Sequence, residues 1–172
     1  MADRALTKLI SESPGKEAKK SAGVEAGTVE GFPYLRNEKV AYLWSRPEKG
    51  GGLLRVRDLE SGHELLEGKE PEATWWQVEA KGKKGQSSIH RNEGVPCEID
   101  FKAVGGEATL SLRWPGKIEV QTETRLSAGE SLARSRIKVE VREESLGLKT
   151  VNFPLVEGIL ALWSEALREA MD

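Results

Sequence analysis

The stretch ATLSLRWPGKIEVQTETRLSAGESLARSRIKVEVREESLGLKTVNFP, Ala108–Pro154, decides the fold. Apolar residues fall at Leu110, Leu112 and Trp114, then at Ile118, Val120 and Leu126, then at Ile137, Val139 and Val141. Polar or charged residues fill nearly every position between them. A period of two, repeated in successive runs, predicts half-buried antiparallel strands. Trp114-Pro115-Gly116 and Ser127-Ala128-Gly129-Glu130 supply the turns, and Leu146–Phe153 returns as a further strand. Pro154 ends the ladder because it has no N–H to donate.

Downstream the period changes. Ile159, Leu160, Trp163, Ala166, Leu167 and Ala170 recur at helical spacing, which predicts an amphipathic helix over 156–172 that packs on the sheets or on a partner. Upstream, Cys97, Ile99, Phe101 and Ala103 form one apolar face of a strand. Thr74–Ala80 reads as another, in which Trp75 and Trp76 point to opposite faces. Val40, Tyr42 and Trp44 alternate with Ala41 and Leu43, so this strand is expected to be covered on both sides. Gly50-Gly51-Gly52 lacks the Gly-Lys-Ser/Thr spacing of a phosphate-binding loop and reads as a tight hairpin. Ala2–Glu12 suits a short helix with Leu6, Leu9 and Ile10 on one side, and Gly15–Gly31 reads as a flexible linker or disordered arm. The expected architecture is an all-β, antiparallel, supersandwich-like β-sandwich of about ten strands. Its divisions are an N-terminal arm (1–31), the β-domain (32–155) and a C-terminal helix (156–172).

Bulk properties narrow the function. A chain of 172 residues is about one domain. A net charge of −2 and a pI near 5.9 argue against a nucleic-acid binder, which carries a strongly basic face. No apolar run is long enough to span a membrane. The first twenty residues lack an apolar leader, so cytoplasm is the default expectation, with an extracytoplasmic site the alternative if the chain is a fragment. Cys97 is alone, and His63 and His90 have no third ligand in view, so no metal site and no cofactor are expected. The 28 acidic residues stand against 26 basic ones and read as a solvated surface. Asp58 and Glu64 flank a tight hairpin and are read as turn residues. Ser87 and Ser88 lie near His90, but adjacent side chains on a strand point apart, and no triad is assigned.

Two segments carry a resemblance. One is YLRNEKVAYLWSRPEKGGGLLRVRDLESGHELL, Tyr34–Leu66, an Asn turn, a strand, a glycine hairpin and an Asp58-x-x-x-Gly62 turn. The other is Leu112-Arg113-Trp114 followed by Ser135–Gly158, ending in Phe153-Pro154-x-x-x-Gly158. Together they resemble the galactose-mutarotase-like supersandwich β-domain, more narrowly the N-terminal β-domain that precedes the catalytic barrel of large bacterial glycoside hydrolases. The likeness covers Phe32–Gly158. Residues 1–30 fall outside it, and further sandwich strands would be expected beyond Gly158. It implies a module without catalytic residues, whose partners are a glycan or a glycoside hydrolase catalytic domain.

Sugars present flat C–H faces that stack on indole rings. Trp75, Trp76 and Trp114 are therefore the candidate carbohydrate contacts, with one of the adjacent pair expected in the core and the other outside it. The leading expectation is a non-catalytic accessory domain of carbohydrate-active enzymes. The alternatives are a protein-interaction module using the C-terminal helix or a sheet edge, and, last, a stand-alone mutarotase-type enzyme.

Overall fold

The computed structural model describes residues 1–11 and 18–156. The chain opens with helix α1 (Ala2–Ser11) and continues through β1 (Lys19–Ser21), β2 (Val24–Val29), β3 (Phe32–Arg36), β4 (Val40–Trp44), β5 (Leu53–Asp58) and β6 (Glu64–Glu67). These six strands form one antiparallel meander in chain order. β7 (Gln77–Gly82) and β8 (Ser87–Arg91) begin a second sheet that β13 (Leu146–Asn152) completes, in the order β13-β7-β8. Between them β9 (Glu98–Val104), β10 (Glu107–Trp114), β11 (Ile118–Ser127) and β12 (Arg134–Val141) form a four-stranded sheet. The result is an all-β, antiparallel, sandwich-like domain.

Alternation builds the main core. Leu110, Leu112 and Trp114 of β10 and Val120 and Leu126 of β11 share it with Trp44 of the meander. The other face of the meander is also covered. Phe32, Tyr34, Leu43 and Leu54 pack with Leu6 and Leu9 of α1 in a second core. A ten-residue helix is marginal in isolation, so α1 is held by its surroundings. Its buried leucines contribute about 2 kcal/mol each. Arg55 pairs with Asp3 at the first turn, and Arg36 donates to the Leu9 carbonyl, one of those a helix C-terminus leaves unpaired.

Two polar side chains pin the four-stranded sheet to the meander. Asn37 Oδ1 accepts from Lys39 N–H (2.8 Å) and Val40 N–H (3.0 Å), closing the β3–β4 turn. Its Nδ2 donates to the carbonyls of Ser127 (2.8 Å) and Glu130 (2.6 Å) in the β11–β12 connection. The Tyr42 hydroxyl donates to the Ser131 carbonyl and accepts from Ala133 N–H, both at 3.1 Å.

Three expectations are corrected. Lys19–Ser21 and Val24–Val29 are strands of the meander rather than a disordered arm, because Val24, Ala26 and Val29 are buried in the two cores. The fold class also changes: the described residues hold antiparallel sheets and a single α-helix at the N-terminal end, and no C-terminal helix is among them. Of the segment assigned to that helix, 157–172 lie outside the described residues. Finally, Trp75 and Trp76 precede β7 instead of lying within a strand.

Candidate functional site

That last correction removes the expected aromatic platform. Trp75, Trp76 and Trp114 are 3%, 4% and 1% exposed. Trp75 meets Trp44 and Phe153 edge-on, with ring centroids 6.2 and 5.0 Å apart, and Trp76 meets Trp114 edge-on at 5.5 Å. Strand alternation would have put one of the adjacent indoles outside, but their backbone does not follow a ladder. Both N–H groups converge on one acceptor, Asn92 Oδ1, at 2.6 Å from Trp75 and 3.2 Å from Trp76. Asn92, fully buried, also donates to the carbonyls of Gly50 (3.1 Å) and Ala73 (2.9 Å). The Trp114 indole N–H shares the Gly50 carbonyl at 3.1 Å.

The glycine triplet belongs to the same knot. A Cβ on Gly50 would lie 2.3 Å from the Asn92 carbonyl oxygen, and one on Gly52 would lie 1.8 Å from that of Ala73. Glycine is needed there for close backbone approach. Cys97 packs against it too, and burial, then the Glu48 charge, pushes its thiol up to about 12. That is the direction of an inert cysteine.

Functional groups gather instead on the outward face of the four-stranded sheet. Because side chains alternate, the positions between the core residues share that face. The register sets them in rows. Asp100 lies opposite Ser111, Ser111 opposite Glu123, and Glu123 opposite Arg136. The next row runs Glu98, Arg113, Gln121, Lys138. These residues line a concavity of about 580 Å³.

Ion pairs fix its charges. Arg113 donates to Glu98 at 2.7 Å and to Glu119 at 2.8 Å. Glu119, buried at the rim, also meets Arg142 at 2.9 Å and accepts from Gln121 at 2.6 Å. The Arg113 hydrogen bond is the largest influence on Glu119 and, with Gln121 and Arg142, holds its carboxyl down at about 2. The same partnership pushes the Arg113 guanidinium up. Glu123 accepts from Arg125 (2.6 Å) and pairs with Arg136 (2.9 Å). Burial raises its carboxyl, but these two guanidiniums outweigh burial and leave it below the ordinary carboxylate range. A glycosidase needs one carboxyl held neutral as general acid. Glu119 and Glu123 are driven the opposite way.

The remaining candidates keep structural roles. Asp58 closes its turn by accepting from Glu60 N–H at 2.9 Å and from the Ser61 hydroxyl at 2.8 Å. Glu64 holds Arg55 at 2.8 Å. Ser88 does meet His90 at 3.0 Å, because residues two apart on β8 share a face; among the described residues no further side-chain hydrogen bond orients that imidazole. Among the described residues no group of His, Cys, Asp and Glu is placed to hold a metal ion, and no helix is long and apolar enough to cross a membrane.

The fold and this face define an all-β sandwich-like domain with a polar, concave sheet surface. Compared with known protein families and with curated proteins, the chain matches no family model and no curated protein. Reasoning from apolar residues and tryptophans missed the polar face. The signal was present in the other phase of the same period-two pattern, at Asp100, Ser111, Arg113, Gln121, Glu123 and Arg136.

Proposed function

We propose that the chain is a non-catalytic β-sandwich module of carbohydrate-active proteins that contacts glycan through the concave face of the β9–β12 sheet. The observation that carries this reading is the row Asp100, Ser111, Glu123, Arg136, four polar side chains in register across four strands. Adjacent strands are about 4.8 Å apart, so the row offers hydrogen-bonding groups at regular steps along about 14 Å, a surface suited to successive rings of a saccharide chain. The sandwich architecture is compatible with the galactose-mutarotase-like supersandwich resemblance, in which such a module accompanies a catalytic barrel. Contact through the three tryptophans is not part of the reading, since all are core.

Affinity electrophoresis tests it. The protein should be retarded in gels containing a matching polysaccharide, and Arg136→Ala, at an exposed position, should run freely while melting like the parent. Free migration of the folded protein through every polysaccharide would refute the glycan contact.

A second reading has its own observation. β8 forms one side of the three-stranded sheet with no strand beyond it among the described residues, and it carries Ile89 at 61% exposure. An open strand edge with an exposed apolar side chain suits docking of another protein segment. Ile89→Lys would then abolish capture of a neighbouring catalytic domain and leave saccharide retardation unchanged.

A further inference from the structure

Resting on the glycan-contact reading, we infer that the concave face selects neutral, hydroxyl-rich oligosaccharides and rejects uronate-type acidic ones. The charges lining it are Glu98, Asp100 and Glu123 against Arg113, Arg136 and Lys138, a balance of three and three. An arginine-rich cleft recruits carboxylates when its guanidiniums are free. Here they are engaged. Arg113 is held between Glu98 and Glu119, and Arg136 is held by Glu123. An incoming carboxylate that took their remaining N–H groups would lie close to Glu98, Glu119 and Glu123, whose charges repel it. Discrimination of this kind comes as much from the group that repels the wrong ligand as from those that attract the right one.

A hydroxyl faces no such conflict, because it donates and accepts at once. Arg113 and Arg136 retain N–H groups beyond those in the ion pairs, Glu123 retains an oxygen outside its contacts with Arg125 and Arg136, and Asp100 and Ser111 make no side-chain hydrogen bond among the described residues. The row therefore offers acceptors at Asp100 and Glu123, a donor at Arg136 and both at Ser111, and the ion pairs already set the orientation of Glu123 and Arg136. Preformed groups of this sort lose less freedom on binding. Among the described residues no aromatic ring lines the concavity, so hydrogen bonding rather than stacking carries the affinity.

The test is calorimetric titration of the full chain with neutral oligosaccharides (cello-, xylo-, manno- and galacto-series) and with oligogalacturonate and oligoglucuronate, at low and high salt. A neutral ligand should bind at least about tenfold more tightly than either uronate, a gap of about 1.4 kcal/mol. Its affinity should change less than about twofold with salt, since no net charge is neutralised. Asp100→Lys, at an exposed position, breaks the balance and should reverse the preference by about tenfold or more, with the melt unchanged. Tighter binding of a uronate to the parent, weakening with salt, overturns this inference and leaves the glycan-contact reading standing. Failure of the folded parent to bind any of these saccharides overturns both.

Discussion

Replacing Asn92 by alanine should cost this domain a large part of its stability. The side chain makes four hydrogen bonds, from Trp75 N–H (2.6 Å) and Trp76 N–H (3.2 Å) and to the carbonyls of Gly50 (3.1 Å) and Ala73 (2.9 Å). Alanine leaves all four backbone groups without that partner in a site closed to solvent. The Gly50 carbonyl still accepts from the Trp114 indole, so three groups are left unsatisfied; an unsatisfied buried group costs about 1–3 kcal/mol, and taking the low end for each gives about 3 kcal/mol. A domain's total stability is about 5–15 kcal/mol, so the variant should fold, but marginally. With a urea slope of about 2 kcal/mol per molar, the denaturation midpoint should fall by about 1.5 M. Tryptophan emission reports the transition, because the backbone N–H groups of Trp75 and Trp76 donate two of the lost hydrogen bonds. Asn92→Asp keeps the acceptor and loses both donors, so it should fall by a comparable amount. A midpoint shift under about 0.5 M for Asn92→Ala would refute the claim that this side chain ties the glycine hairpin to the Trp75-Trp76 segment.

Gly52→Ala should destabilise by about 3 kcal/mol or more, because its Cβ would meet the Ala73 carbonyl, whereas Gly62→Ala, with a φ of +75° and open space around it, should cost only about 1 kcal/mol; equal urea midpoints for the two would refute the close-approach assignment. Glu119 is ionised well below its ordinary 4.5, so its contribution is fully present above that pH and is lost as pH falls towards about 2. The stability of Glu119→Gln should therefore fall less steeply than that of the parent between those values, and parallel urea midpoints at several pH values would contradict it. Cys97, its thiol raised to about 12, should react with a disulfide reagent at neutral pH at least about a hundredfold more slowly than in urea. Equal labelling rates would show that the native thiol is open to solvent.

The sheets were legible wherever a strand has one wet and one dry face. Ile118–Leu126 and Leu110–Trp114 alternate cleanly, and the structure pairs them antiparallel as expected, with Leu112 opposite Thr122 and Trp114 opposite Val120. The dense apolar pattern of Val40–Trp44 also read correctly, because a strand covered on both sides loses its polar phase. Failure came where tertiary contacts override local pattern. Lys19–Val29 is rich in glycine and charge, yet its valines are buried by a helix and a sheet distant in sequence. Trp75 and Trp76 look like a strand until Asn92, seventeen and sixteen residues away, takes both amides. The polar face was unreadable as a site because charge at alternate positions is what any solvated strand shows. Only the register across β9–β12 turns those positions into rows.

The architecture then separates what holds the fold from the face proposed to meet a ligand. The meander spends one face on the main core and the other on α1, which leaves the outward face of the four-stranded sheet as a broad, ordered surface carrying a concavity. Buried knots such as Asn92 with the glycine hairpin decide stability. Ion pairs on the open face do not: the Arg136 side chain is 71% exposed, and a surface pair is worth about 0–1 kcal/mol. It follows that binding and folding should separate by position. Substitution of Asp100 or Arg136 should alter ligand affinity on an intact fold, whereas substitution of Trp75, Trp76 or Trp114 should remove both together, at about 3–5 kcal/mol for truncation to alanine.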